Sequence, residues 1–144
     1  NMPEKVVDYC RRTGQHVPSD KGSIIRIVME SLAMKYRSAV EGLEEITGNR
    51  VPVLHIVGGG CKNTMLSRYT ADVLNRPVTA GPVEATAIGN IISQLIALKE
   101  IDDLNQAREV VKRSFPTEIY QPENPEVWDE AYLRYKEITD KMQK

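Results

Sequence analysis

His55-Ile56-Val57-Gly58-Gly59-Gly60-Cys61-Lys62-Asn63 decides how this chain is read. Val53 to Val57 is β-branched and almost free of charge, which predicts a buried strand. Asn63 is a good helix N-cap, and a helical pattern from Thr64 to Leu74 follows it. Between strand and helix stand three consecutive glycines, where no Cβ keeps a ligand from the backbone. The unpaired N–H groups and partial positive charge of a helix start suit phosphate or polar ribose atoms. Alone, the run marks only a candidate nucleotide site, since glycines also serve a tight strand–helix turn.

Outward from this centre, Pro3 to Arg12 predicts a short helix, with Pro3 in its first turn and Gly14 at its end. A long helix is predicted from Ser23 to Thr47, closed by Gly48-Asn49. Its apolar stripe of Ile25, Val28, Leu32, Tyr36, Ala39, Leu43 and Ile46 is expected to face the core. Downstream, Pro77 to Ala80 predicts a second short strand and Gly81-Pro82 a turn. Pro82 is expected to start a helix running to Lys99, with Ala85, Ile88, Ile92, Leu95 and Ile96 as its apolar face. Asp102 is expected to cap a helix to Ser114, and Phe115 to Pro122 to be extended. The last helix, Pro125 to Met142, gathers Trp128, Ala131, Tyr132, Tyr135 and Ile138.

The order α-α-β-α-β-α-α-α holds a β-α-β unit, which predicts two parallel strands joined by a right-handed crossover. Two parallel strands are too few for a stable sheet. The chain is therefore expected to pair with another copy, or to be part of a larger protein whose other strands precede Asn1. An opening at Asn1-Met2 without a start signal favours the second. The open strand edge also predicts self-association, or pairing with the missing part.

Composition narrows the function classes. With 144 residues and 41% hydrophobic content, there is material for one globular domain but not two large ones. The 19 basic and 20 acidic side chains leave a net charge of −1, which argues against a nucleic-acid-binding surface. No run has the length of a membrane span, so no membrane partner is expected. Cys10 and Cys61 lack metal-site spacing and fit a reducing, cytoplasmic setting.

The stretch from Leu54 to Gln94 resembles the C-terminal lobe of the FGGY carbohydrate kinases. The resemblance rests on His55 to Asn63, Ala71-Asp72, Arg76-Pro77-Val78 and Ala80-Gly81-Pro82-Val83-Glu84-Ala85-Thr86-Ala87-Ile88-Gly89-Asn90. Tyr9-Cys10-Arg11, Thr13-Gly14-Gln15, Ala107 to Val111 and Trp128 to Tyr132 extend it over nearly the whole chain. The Ala80 to Asn90 wording and Glu30-Ser31-Leu32-Ala33 resemble the L-rhamnulose-directed branch rather than the glycerol- or xylulose-directed ones.

That family has the actin-like ATPase fold, in which two ribonuclease-H-like lobes enclose a nucleotide. The resemblance implies a helix-rich α/β partial lobe with a short parallel β-α-β core. Residues 1–144 would all belong to the C-terminal kinase domain, with the first lobe, the phosphate loops and the catalytic aspartate outside this chain. It further implies ATP with Mg²⁺, and transfer of the γ-phosphate to the 1-hydroxyl of L-rhamnulose, a small ketose reached through the other lobe. L-Fuculose, D-xylulose and glycerol are the alternative acceptors. Gly58, Gly59 and Gly60 match the adenosine-binding glycines, while Asn63 caps the helix, touches the adenine, or does both.

No catalytic residue and no metal ligand is assigned in this chain. Lys62 reads as a solvated loop lysine before a phosphate ligand, and Cys61 has no base beside it. His55 reads as a packed, hydrogen-bonded strand residue, and His16 as an unremarked loop residue. Glu84 suits a helix start, and Asp72 has no partner visible in sequence. Two other classes remain. A stand-alone nucleotide-binding module lacks the G-x-G-x-x-G spacing and a ribose-binding acid after a second strand, and a helical interaction module would leave the glycines merely structural.

Overall fold

Asp20 starts the longest element. Its carboxylate accepts the Ser23 N–H at 3.0 Å and the Ser23 hydroxyl at 2.6 Å, so helix α2 (Lys21–Thr47) begins before Ser23. It ends where Gly48 adopts a left-handed φ of +67°. Helix α1 (Met2–Arg12) precedes it, with Pro3 in its first turn. The computed structural model describes residues 1–142.

The strands are shorter than their apolar runs. Strand β1 (Leu54–Ile56) pairs in parallel with β2 (Val78–Ala80), in the register Leu54↔Val78, His55↔Thr79 and Ile56↔Ala80. Helix α3 (Thr64–Leu74) connects them, after a 3₁₀ turn over Gly58–Lys62 that separates strand from helix. Helices α4 (Ala85–Ala97) and α5 (Leu104–Ser114) follow, then strand β3 (Glu118–Tyr120) and helix α6 (Pro125–Met142). Strand β3 lies antiparallel on β2, giving a mixed sheet of order β1-β2-β3. The core is therefore not two parallel strands alone: the extended segment after α5 supplies the third.

Two further boundaries and the burial of one strand residue differ from the sequence expectation, each for a local reason. Helix α4 begins at Ala85 rather than Pro82, because the Pro82 carbonyl accepts the Gly58 N–H at 3.0 Å and is not available to the helix ladder. Helix α5 is capped by Asp103, not Asp102. The Asp103 carboxylate accepts the N–H groups of Asn105 and Gln106, while the Gln106 side chain takes the Asp102 N–H. His55 is exposed rather than packed, since it lies on the sheet face away from α3. By register it shares that face with Thr79 and the exposed Ile119.

The larger correction concerns α2. Six members of its apolar stripe, Ile25, Leu32, Tyr36, Ala39, Leu43 and Ile46, are exposed, Ile46 at 85%. The buried residues are Ala33, Met34 and Val40, with Met29 packed beside them. At 100° per residue this face is rotated about a third of a turn from the stripe. Two features select it. Ala33, fully buried, lets α3 approach closely, and the charged residues on this face all find partners. Arg37 donates to Glu41, to Asp129 and to the Val73 carbonyl, tying α2 to α3 and α6. Glu44 accepts two bonds from Arg76, which also donates to the Val51 carbonyl.

Ala33, Met34, Leu66, Val73 and Tyr132 form the core, where α2, α3 and α6 meet. Trp128, Ala131 and Tyr135 pack against it, so α6 gathers its aromatic residues as its spacing implies. Tyr132 is 2% exposed, and its hydroxyl donates to Glu41 at 2.7 Å under the Arg37 guanidinium. Among the described residues, no helix is long and apolar enough to cross a membrane.

Candidate functional site

The parallel pairing of β1 and β2 brings their carboxyl ends to one rim, where open α/β sheets commonly place ligands. Two turns leave that rim side by side. The first runs from Gly58 to Lys62 into α3; the second runs from Gly81 to Glu84, through a cis Gly81–Pro82 peptide, into α4. They are stitched by two backbone bonds. Gly58 N–H donates to the Pro82 carbonyl at 3.0 Å, and Gly81 N–H donates to the Ile56 carbonyl at 2.8 Å.

The three glycines are not equivalent. Gly58 has φ +75°, so a side chain there strains the backbone whatever the room. Gly59 has no such angle, and a Cβ built on it meets nothing within 4 Å. A Cβ on Gly60 makes only ordinary contact, 3.8 Å from the Ile56 Cγ2. The fold thus requires glycine at Gly58, whereas among the described residues there is room for a side chain at Gly59 and Gly60. An open backbone beside a helix start is a cradle for a flat, polar ligand.

Asn63 closes the turn. Its N–H donates to the Gly60 carbonyl, its Oδ1 accepts the Leu66 N–H at 3.1 Å, and its Nδ2 lies 3.3 Å from the Met29 Sδ. The capping role is realised, and one amide hydrogen of Asn63 remains for another acceptor. Met29 was invisible as a site neighbour in sequence, because it comes from α2, 34 residues away. The sequence marks Gly81 as a turn residue; in the structure it is buried and has φ +117°.

The other polar candidates lie apart or are engaged. Lys62 is exposed at the end of the turn, and Cys61 beside it is buried. Glu84 stands at the N-cap of α4 without capping it through its side chain. Asp72 has a partner after all, the Glu123 N–H at 2.7 Å. His16 is exposed in the α1–α2 connection. Among the described residues no three His, Cys, Asp or Glu side chains converge as a metal site.

Residues 3–98 match the model of the C-terminal domain of the FGGY family of carbohydrate kinases. The chain belongs to that family. Rhamnulokinase from Bacteroides thetaiotaomicron is 40% identical over 136 residues, covering 94% of this chain and 28% of the relative. Rhamnulokinase from Enterococcus faecalis is 45% identical over 123 residues, covering 84% and 25%. The crystal structure of xylulose kinase from Rhodospirillum rubrum superposes with a TM-score of 0.68 at 26% identity, covering 90% of this chain and 26% of that one. This FGGY chain thus has the helix-rich α/β fold of an actin-like ATPase lobe, and spans about a quarter of the length of the relatives it matches.

Proposed function

We propose that the chain is the adenosine-holding part of an ATP-dependent sugar kinase, with L-rhamnulose as the acceptor sugar. The observation that carries the reading is the open backbone at Gly59 and Gly60, on the rim where β1 and β2 end. Among the described residues nothing crowds a Cβ at Gly59 or Gly60, and a nucleoside lying against them would account for the glycines. Gly58, Gly59 and Gly60 line the approach of ribose and adenine, and Asn63 fixes the helix start behind them. The rhamnulokinase relatives support the choice of sugar.

Residues 1–144 are in this reading part of the C-terminal kinase domain; the first lobe, which chooses the sugar and supplies the base, lies outside. An aspartate of that lobe takes the proton of the sugar 1-hydroxyl. The freed oxygen forms a bond to the γ-phosphorus as the bond to the β,γ-bridging oxygen breaks, giving L-rhamnulose 1-phosphate and ADP. This chain holds the adenosine end still, so that the γ-phosphate arrives in line. Mg²⁺ neutralises phosphate charge in such reactions, and no side chain described here is assigned to hold it. Two buried, unpaired cysteines agree with a reducing cytoplasm.

The test is ADP release by the full-length protein offered L-rhamnulose, L-fuculose, D-xylulose or glycerol. Preference for L-rhamnulose is expected. Turnover of another acceptor corrects the sugar and keeps the nucleotide site, and no turnover with any of them rejects the kinase reading. In the same protein Gly59→Val is expected to weaken ADP binding at least about tenfold, roughly 1.4 kcal/mol. Unchanged ADP affinity would remove Gly59 from the site.

A further inference from the structure

The family match ends at residue 98, so α5, β3 and α6 lie beyond it. This downstream segment nevertheless reaches the candidate site. The antiparallel register sets Glu118 opposite Ala80, which brings Pro116 and Thr117 alongside the Gly81–Pro82 turn. The fit is close. A Cβ built on Gly81 would stand 3.2 Å from the Pro116 carbonyl oxygen and 3.5 Å from the Thr117 Cγ2. Gly81 is also left-handed at φ +117° and buried, so space and backbone angle both demand glycine there.

Gly81 is pinned on its other side as well. Its N–H is bonded to Ile56 at the end of β1, and the next residue, Pro82, gives its carbonyl to Gly58. A continuous path of contacts therefore runs from Pro116 and Thr117 through Gly81 and Pro82 to Gly58.

We infer that Pro116 and Thr117 are positioning residues for the glycine turn, acting through Gly81 from beyond the residues that the family model matches. Strand β3 is the backstop against which the second turn is pressed, and the second turn sets where Gly58 begins the first. The inference rests on the reading of the glycine turn as the nucleotide site, and it adds that nucleotide affinity is set partly by the downstream segment.

The experiment uses the full-length protein with Glu118→Pro, which removes the N–H that the register turns toward Ala80, at an exposed side chain, and leaves the core of α2, α3 and α6 intact. Hydrogen exchange without nucleotide is expected to speed up at Gly58 at least about tenfold, as its bond to Pro82 opens about 1.4 kcal/mol more easily. Amides of α2 and α3 should keep their protection. The KM for ATP should rise about tenfold, with kcat at saturating ATP within about twofold, as expected when binding alone is lost. Exchange at Gly58 as slow as in the parent, with β3 exchanging freely, overturns the positioning role. If α2 and α3 also lose protection, Gly81→Ala decides in its place, with the same two readings. Faster exchange at Gly58 with unchanged KM and ADP affinity keeps the positioning role and rejects the nucleotide reading of the turn.

Discussion

Gly58 and Gly59 are adjacent and chemically identical, yet the fold needs only the first. Gly58→Ala asks an L-residue to hold φ +75° and is expected to cost about 1 kcal/mol or more. Gly59→Ala adds a methyl to open space and is expected to leave stability within about 0.5 kcal/mol. Thermal unfolding without nucleotide measures both, and equal losses at the two positions would show that the second glycine is structural too. The three glycines look alike in sequence because φ and local space are products of the folded turn. Asn63 was legible as a cap, since N-capping depends only on the residues that follow it. Its contact with Met29 was not, because nothing local joins positions on separate helices. The exposure of His55 is hidden in the sequence for a related reason: an apolar strand context says the run is half-buried, but not which of its two faces is covered.

At the level of elements, the boundaries of α3 and α6 were readable to the residue, and α2 to within a turn, because caps and glycines punctuate them. The side of α2 that meets its neighbours was not readable. A hydrophobic stripe was there to be counted, but Ala33 and the paired Arg37, Glu41 and Glu44 won the interface. Strand β3 is legible in the sequence only as an extended segment, since three residues with two exposed side chains carry little strand signal.

The α2–α6 junction depends on pH in both directions. Burial pushes the Tyr132 hydroxyl up to about 12, with the Glu41 carboxylate adding to the shift. A raised pKa means that the neutral form stabilises the fold fully below the ordinary tyrosine value near 10, and that this contribution is lost as pH climbs through about 12. Burial also tends to raise Glu41, but hydrogen bonds from Arg37 and Tyr132 overcome it and hold the carboxyl below its ordinary value. Its contribution is complete above about 4.3 and is lost as pH falls through the lowered value. Tyr132→Phe is expected to cost about 1–2 kcal/mol at neutral pH. The gap to the parent should narrow between about pH 10 and 12, and an unchanged gap in urea titrations would rule out Tyr132 as the alkaline titrating group.

For the molecule as a whole, the sheet shows one covered and one open face. Val78 and Ala80 are buried, whereas His55 and Ile119 are exposed. The exposed apolar row on α2 is a second uncovered surface. The sequence had signalled such incompleteness through its strand count, and β3 reduces it without removing it. The purified 144-residue chain, given ATP and L-rhamnulose, is expected to release no ADP above the background of the mixture. Turnover by that chain would place the base and phosphate contacts within it.

Helix α2 grips α3 at two widely spaced points. Met29 meets Asn63 before the first turn of α3, and Glu44 holds Arg76 just past its last. Fifteen residues of α2 separate those grips, about 22 Å, against about 16 Å for α3 itself. A helix fastened at one end can swing, and a helix fastened at both cannot. The wall carrying the glycine turn is therefore stiff and travels only as a block with α2. On the proposed reading of the turn, whatever mobility admits a nucleotide would belong to the parts that face this wall.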